Sequence, residues 1–182
     1  MRWDGLFADI EGQLAAAAQL DHDAHVAELA RAEQGSVSLA DRLRGQGDRP
    51  VEIQIRGEQR FRGSLRQVAD GWLVLATGQH SVLVPMRAVI SVAGLGRAAR
   101  AESSTVRRTL SLASCLRALA RDRAAVTMFV EGGRGEPGTL VGRIDTVGSD
   151  YVDFAPEGSG GASGQRVVAV RLEALLAVRS SA

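Results

Sequence analysis

Lysine is absent from this sequence. All 22 basic residues are arginine, so a phosphate-cradling loop of the Walker kind, which needs a lysine, is excluded. Cysteine occurs once, at Cys115, which rules out an intrachain disulfide and fits a reducing compartment. No stretch approaches the roughly 18 uninterrupted apolar residues of a membrane span. The apolar run Leu14 to Ala18 follows Asp4, Asp9 and Glu11, where a secretory leader would carry basic residues. These absences predict a soluble, cytoplasmic protein with no membrane partner. A dominant charge is missing too: a formal net charge of +1 argues against a strongly basic nucleic-acid binder. No nucleophile triad, carboxylate pair or metal-ligand set stands out. The chain reads as a non-enzyme without a cofactor.

What the 182 residues do contain is ordinary globular composition, unevenly distributed charge and a repeat. Residues 1–34 carry seven carboxylates against Arg2 and Arg31, whereas Leu95 to Arg123 carries seven arginines against Glu102 and Asp122. An acidic arm and a basic connector can attract each other or separate partners.

From Asp4 to about Gln34 apolar residues recur at spacings of three and four, which predicts one long amphipathic helix. Asp4 would cap it and Gly35 would end it. Its stripe, Trp3, Phe7, Ile10 and Leu14, is the candidate oligomerisation surface.

Ser38 to Arg44 reads as a short capped helix, with Ser38 at the cap and Asp41 three residues on. From Val51 the period falls to two, Val51, Ile53 and Ile55 alternating with Glu52, Gln54 and Arg56, and turn residues then punctuate five short strands as far as Val92. Ser111 to Arg117 echoes Ser38 to Arg44, and Leu140 to Phe154 repeats Phe61 to Leu75. Gly63 meets Gly142, Asp70 meets Ser149 and Trp72 meets Tyr151. The chain is a duplication of one unit, a short helix followed by five strands. The predicted fold class is therefore mainly β with helices (α+β): a long N-terminal helix, then two tandem five-stranded small barrels, each preceded by a short helix. The corresponding divisions are an N-terminal helix at 1–35, a first barrel at 38–94, an arginine-rich connector at 95–110 and a second barrel at 111–179. Barrels of this size are marginal alone, and open fourth and fifth strands invite pairing, so the copies should join edge to edge or through the connector.

The residues Ile55-Arg-Gly57, Phe61-Arg-Gly63-Ser-Leu65, Asp70-Gly-Trp72 and Val84-Pro-Met86 resemble the Sm-like fold of Sm, LSm and Hfq proteins, and the second copy does so more loosely. The mid-strand glycine suits a strand that must bend sharply to serve both halves of a small barrel. The resemblance implies rings that bind single-stranded RNA by base stacking and polar reading. Carried over, the nucleic-acid-binding candidates are Asp70, Trp72, Ser149, Asp150 and Tyr151 at one turn, with Arg87 and Arg171 at the later one. Connector arginines, Arg107 and Arg108 among them, would meet phosphate. The family's asparagine after the aromatic is missing, as is its usual reading pair at Pro85-Met-Arg-Ala88. The opening Met1 to Asp9 and the Leu119 to Arg123 box also resemble uncharacterised proteins of high-GC bacteria, a likeness that implies no activity.

Each candidate has a plainer alternative. Trp72 and Tyr151 serve equally as caps on the core. Gly94-Leu-Gly-Arg-Ala-Ala99 matches a dinucleotide fingerprint by letters but follows a strand without opening a βαβ unit. Gly158 to Gly164 reads as a hairpin loop, and His22 and His25 as part of a solvated acidic face. Cys115 falls on an apolar stripe with Leu112, Leu116 and Leu119, which suits a buried small hydrophobe. Two functions stay open: a single-stranded RNA binder, or a structural adaptor that uses barrel edges and the N-terminal helix to bind proteins and form homo-oligomers.

Overall fold

The computed structural model describes residues 13, 19–20, 22–32, 34–105, 107, 110–132, 137–158 and 167–180. The chain divides into two compact units, Met1–Ser38 and Leu39–Ala182.

In the first unit the continuous described helix begins at residue 22 and not at residue 4 as expected: residues 13, 19–20, 22–32 and 34–36 are helical, and Leu20, Val26 and Leu29 are 70%, 50% and 53% exposed. Helical stability comes mainly from burying an apolar face, and this stripe buries little. Trp3, Phe7, Ile10 and Leu14 lie outside the described residues.

The second unit is built on ten strands. The first half holds α1 (Leu39–Arg44), β1 (Pro50–Ile55), β2 (Arg60–Val68), β3 (Trp72–Thr77), β4 (His80–Pro85) and β5 (Val89–Ala93), with a 3₁₀ turn at Met86–Ala88. The second half holds α2 (Leu112–Arg121), β6 (Ala125–Glu131), β7 (Pro137–Val147), β8 (Tyr151–Pro156), β9 (Val168–Arg171) and β10 (Leu175–Ser180), with a 3₁₀ turn at Leu172–Ala174. The expectation of two tandem small barrels is overturned. All the strands belong to one open antiparallel sheet, in the order β5-β1-β2-β3-β4-β10-β6-β7-β8-β9. In each half the fifth strand lies beside the first, yet neither set closes on itself. β4 turns outward and pairs with β10, Val178 opposite Leu83 and Arg179 opposite Val82. Five strands leave a row of unpaired backbone groups on the fourth, and the other half's fifth strand satisfies them. The halves thus join edge to edge, as their open strands suggested.

Duplication is visible in the backbone. β2 carries a bulge between Leu65 and Gln67, and β7 carries one between Ile144 and Thr146. A Cβ at Gly63 would strike the carbonyl oxygen of Ala76, and one at Gly142 would strike that of Ala155. The bent strand and its neighbour approach so closely that only glycine fits.

The apolar residues form two cores that trade side chains across the β4–β10 seam. Ile53, Ile55, Leu73, Leu75 and Val84 build the first, joined by Phe129, Leu176 and Ala177 from the second half. Met128, Ile144, Phe154 and Leu116 build the second, joined by Ala69, Trp72 and Leu83 from the first. Phe61 meets Phe129 edge to face, with ring centroids 5.6 Å apart. Arg56 reaches Glu131 at 3.6 Å across the same seam. Among the described residues no helix is long and apolar enough to cross a membrane.

Candidate functional site

The turn before the third strand exists twice, and the two copies are used differently. In the first half, Asp70 accepts a hydrogen bond from Arg44 Nη2 at 2.6 Å. Arg44 ends α1 with its side chain almost wholly buried. Its Nη1 donates to Asp41 Oδ1 at 2.8 Å and its Nε to the Val68 carbonyl at 3.1 Å. A buried guanidinium costs little only when its donors are matched, and here both nitrogens of the fork and Nε are engaged. Trp72 is 1% exposed, and its Nε1 donates to the carbonyl oxygen of Leu110 at 2.7 Å. The indole is therefore a core residue sealed by the connector, and no base can stack on it.

Arg87 follows β4 in the 3₁₀ turn. Its Nε donates to the Glu173 carbonyl at 3.3 Å and its Nη2 to the Leu175 carbonyl at 3.2 Å, so it clamps the seam. Burial, with Arg56 nearby, pulls this guanidinium below its usual range, and Glu173 works in the opposite direction.

In the second half the equivalent groups are open. Tyr151 is 39% exposed, its ring lying so close over Gly148 that a Cβ there would strike it. Ser149 Oγ donates to Asp150 Oδ1 at 3.3 Å, and the Asp150 carbonyl accepts from Leu172 N at 2.7 Å. Tyr151 stands opposite Arg171 across the β8–β9 ladder, and Arg171 Nη2 pairs with Glu173 Oε2 at 2.6 Å, both side chains well exposed. The structure thus gathers Ser149, Asp150, Tyr151 and Arg171 at one end of the second half. Asp70, Trp72 and Arg87 occupy the matching end of the first half, bound to the protein itself.

Arg107 lines a cleft of about 460 Å³ beside α1 and β2, together with Arg66 and Arg100. Arg108 lies outside the described residues. Sequence reasoning missed Arg44 and Arg66. Arg44 was findable as the arginine that both echoing segments share, at Arg44 and Arg117, whereas nothing in the sequence marks Arg66 as a bulge residue.

His80 Nδ1 lies 3.0 Å from the carbonyl oxygen of Ser180, within the seam. Cys115 is half-buried, and burial pushes its thiol above the usual range, which disfavours the nucleophilic thiolate. It shares a cavity of about 240 Å³ with Trp72, Leu83 and Val178. His22 and His25 lie in the 22–32 helical stretch, and among the described residues no three metal-ligating groups gather. No family model matches this sequence, and no curated protein matches it either.

Proposed function

We propose that the chain is a non-enzymatic scaffold that assembles with further copies of itself, head to tail, through the free edges of β5 and β9. The observation that supports this most is a contrast between equivalent residues. Leu176 on β10 is 1% exposed beneath the β4 pairing, whereas its counterpart Ile90 on β5 is 59% exposed at the sheet's end. An edge of the fourth-strand type already meets one of the fifth-strand type inside the chain. The two outer edges are the same two types. Transferred by the repeat, the inner register places Val92 opposite Ala169 and Ala93 opposite Val168 of a second copy. Such a contact is heterologous and forms chains or closed rings.

The outer junction is the weaker one. Where Arg87 donates to two carbonyls at the inner seam, the second half has Glu173, which has no proton to donate. Assembly should therefore depend on concentration. Kinship with Sm-like proteins belongs to this reading and draws on the bent glycine strands and the open fourth and fifth edges. The single-stranded RNA alternative is the weaker one, because Asp70, Trp72 and Arg87 are spent on folding and on the seam.

Light scattering across a concentration series tests the reading. The mass of the wild type should rise with concentration. Ile90→Asp and Ala169→Asp, both at exposed edge positions, should each hold the protein at monomer mass while leaving the thermal melt unchanged. Mixed together they should form a dimer, since each retains the edge the other has lost. A wild type that stays monomeric throughout, or variants that assemble like it, would overturn the proposal.

A further inference from the structure

We propose that the cleft between α1, the bulge of β2 and the connector binds a small, multiply phosphorylated anion, with Arg66, Arg100 and Arg107 as its ligands. Arg66 is the extra residue of the β2 bulge. The ladder runs from Leu65 opposite Leu75 to Gln67 opposite Val74 and leaves Arg66 without a cross-strand partner. A bulge is a means of re-aiming one side chain, and this one sets Arg66 in the wall of the cleft.

Arg100 and Arg107 come from the connector, which is tied down beneath them. Arg100 N donates to the Asp41 carbonyl at 2.9 Å, Arg42 Nη2 to the Gly96 carbonyl at 2.9 Å, and Gly96 N to Gln46 Oε1 at 3.0 Å. At Gly45 the connector passes so near that a Cβ would collide with the Ala98 carbonyl. Arg107 N donates to Ser104 Oγ at 3.4 Å, which fixes its turn. The guanidinium groups are thus carried on anchored backbone, which lowers the entropy lost on binding.

Their charge is available. Among the described residues the side chains of Arg66, Arg100 and Arg107 make no hydrogen bond or ion pair, whereas Arg44, which also lines the cleft, is committed to Asp41, Asp70 and Val68. Asp48 and Glu102 face the same space, and Glu102 already accepts from Ser104 N at 2.9 Å. With Arg44 set aside as already paired, three arginines against two acidic residues leave the lining cationic, and the planar fork of arginine matches phosphate oxygens in pairs. At about 460 Å³ the cleft lies within the range of small-molecule sites. Among the described residues its lining contains no aromatic ring, so they offer charge without a platform for a nucleobase.

The second half supplies an internal contrast. Its bulge residue is Asp145, in a groove with Arg117 and Arg121. Asp145 puts a carboxylate where the first half has Arg66, and we assign the anion site to the first half.

Calorimetric titration of the full chain with orthophosphate, pyrophosphate and tripolyphosphate tests this. Tripolyphosphate should bind one saturable site more tightly than orthophosphate and weaken as salt rises. Arg66→Gln and Arg100→Gln should each reduce its affinity about tenfold, the loss of one charge-assisted contact. Arg143→Gln, an exposed arginine on β7, should leave it unchanged. An absence of saturable binding, or an equal loss in Arg143→Gln, would overturn the assignment. So would oligo(U) binding in the absence of any tripolyphosphate binding, which would assign these arginines to a nucleic-acid backbone.

Discussion

The two halves of the sheet share strand order, bulge, bent glycine and 3₁₀ turn, and they differ in what their polar residues do. In the first half Arg44, Asp41, Asp70 and Trp72 lock the lead helix, the turn and the connector together. In the second half, among the described residues, Arg117 reaches only the Gly148 carbonyl, at 3.2 Å, and Ser114, Ser149 and Tyr151 stand where the two aspartates and the tryptophan were. One backbone thus carries a closed version and an open version of the same corner. A duplicated unit needs its turn sealed only once if the other copy is buttressed across the seam, and the second copy's turn residues are left at the surface.

Several substitutions would break or sharpen that contrast. Trp72→Ala should cost about 3–5 kcal/mol, from lost burial and an orphaned Leu110 carbonyl, while Tyr151→Ala should cost no more than about 1 kcal/mol. Urea midpoints measure both, and equal losses would mean the two corners are not different after all. Gly63→Ala and Gly142→Ala should each cost about 2–3 kcal/mol, because a backbone carbonyl cannot move aside. Here the prediction is parity between halves, and a tolerated alanine in either would show that its bend is not required. Arg44→Gln should cost about 2 kcal/mol and Arg117→Gln under about 0.5 kcal/mol in the same assay. A large effect of Arg117 would place a second lock at a corner that is open in the structure.

Much of the architecture was legible. Alternation at Val51, Ile53 and Ile55 located β1, since all three side chains are buried. The matching of Gly63 with Gly142 announced the repeat, because a backbone constraint leaves the same residue in both copies. What sequence periodicity could not carry was closure. Alternation specifies which face of a strand is buried, but not whether β4 curls back to its own half or turns out to β10. That choice is made by backbone pairing, which every residue offers alike. The long N-terminal helix was misread for a related reason: spacing describes a stripe without saying what covers it. At the site, the sequence singled out Asp70 and Trp72 as nucleic-acid-binding candidates. Their work turned out to be internal, because the residues that engage them, Arg44 and Leu110, lie 26 and 38 positions away.

One feature of the topology also bears on how the chain acquires its form during synthesis. His80 and Ser180 meet across 100 residues of sequence, and β10 follows every other strand of its half. A first half that paired its strands before the second half was complete would present β4 as an open edge, and within the chain only the last strand, β10, closes it.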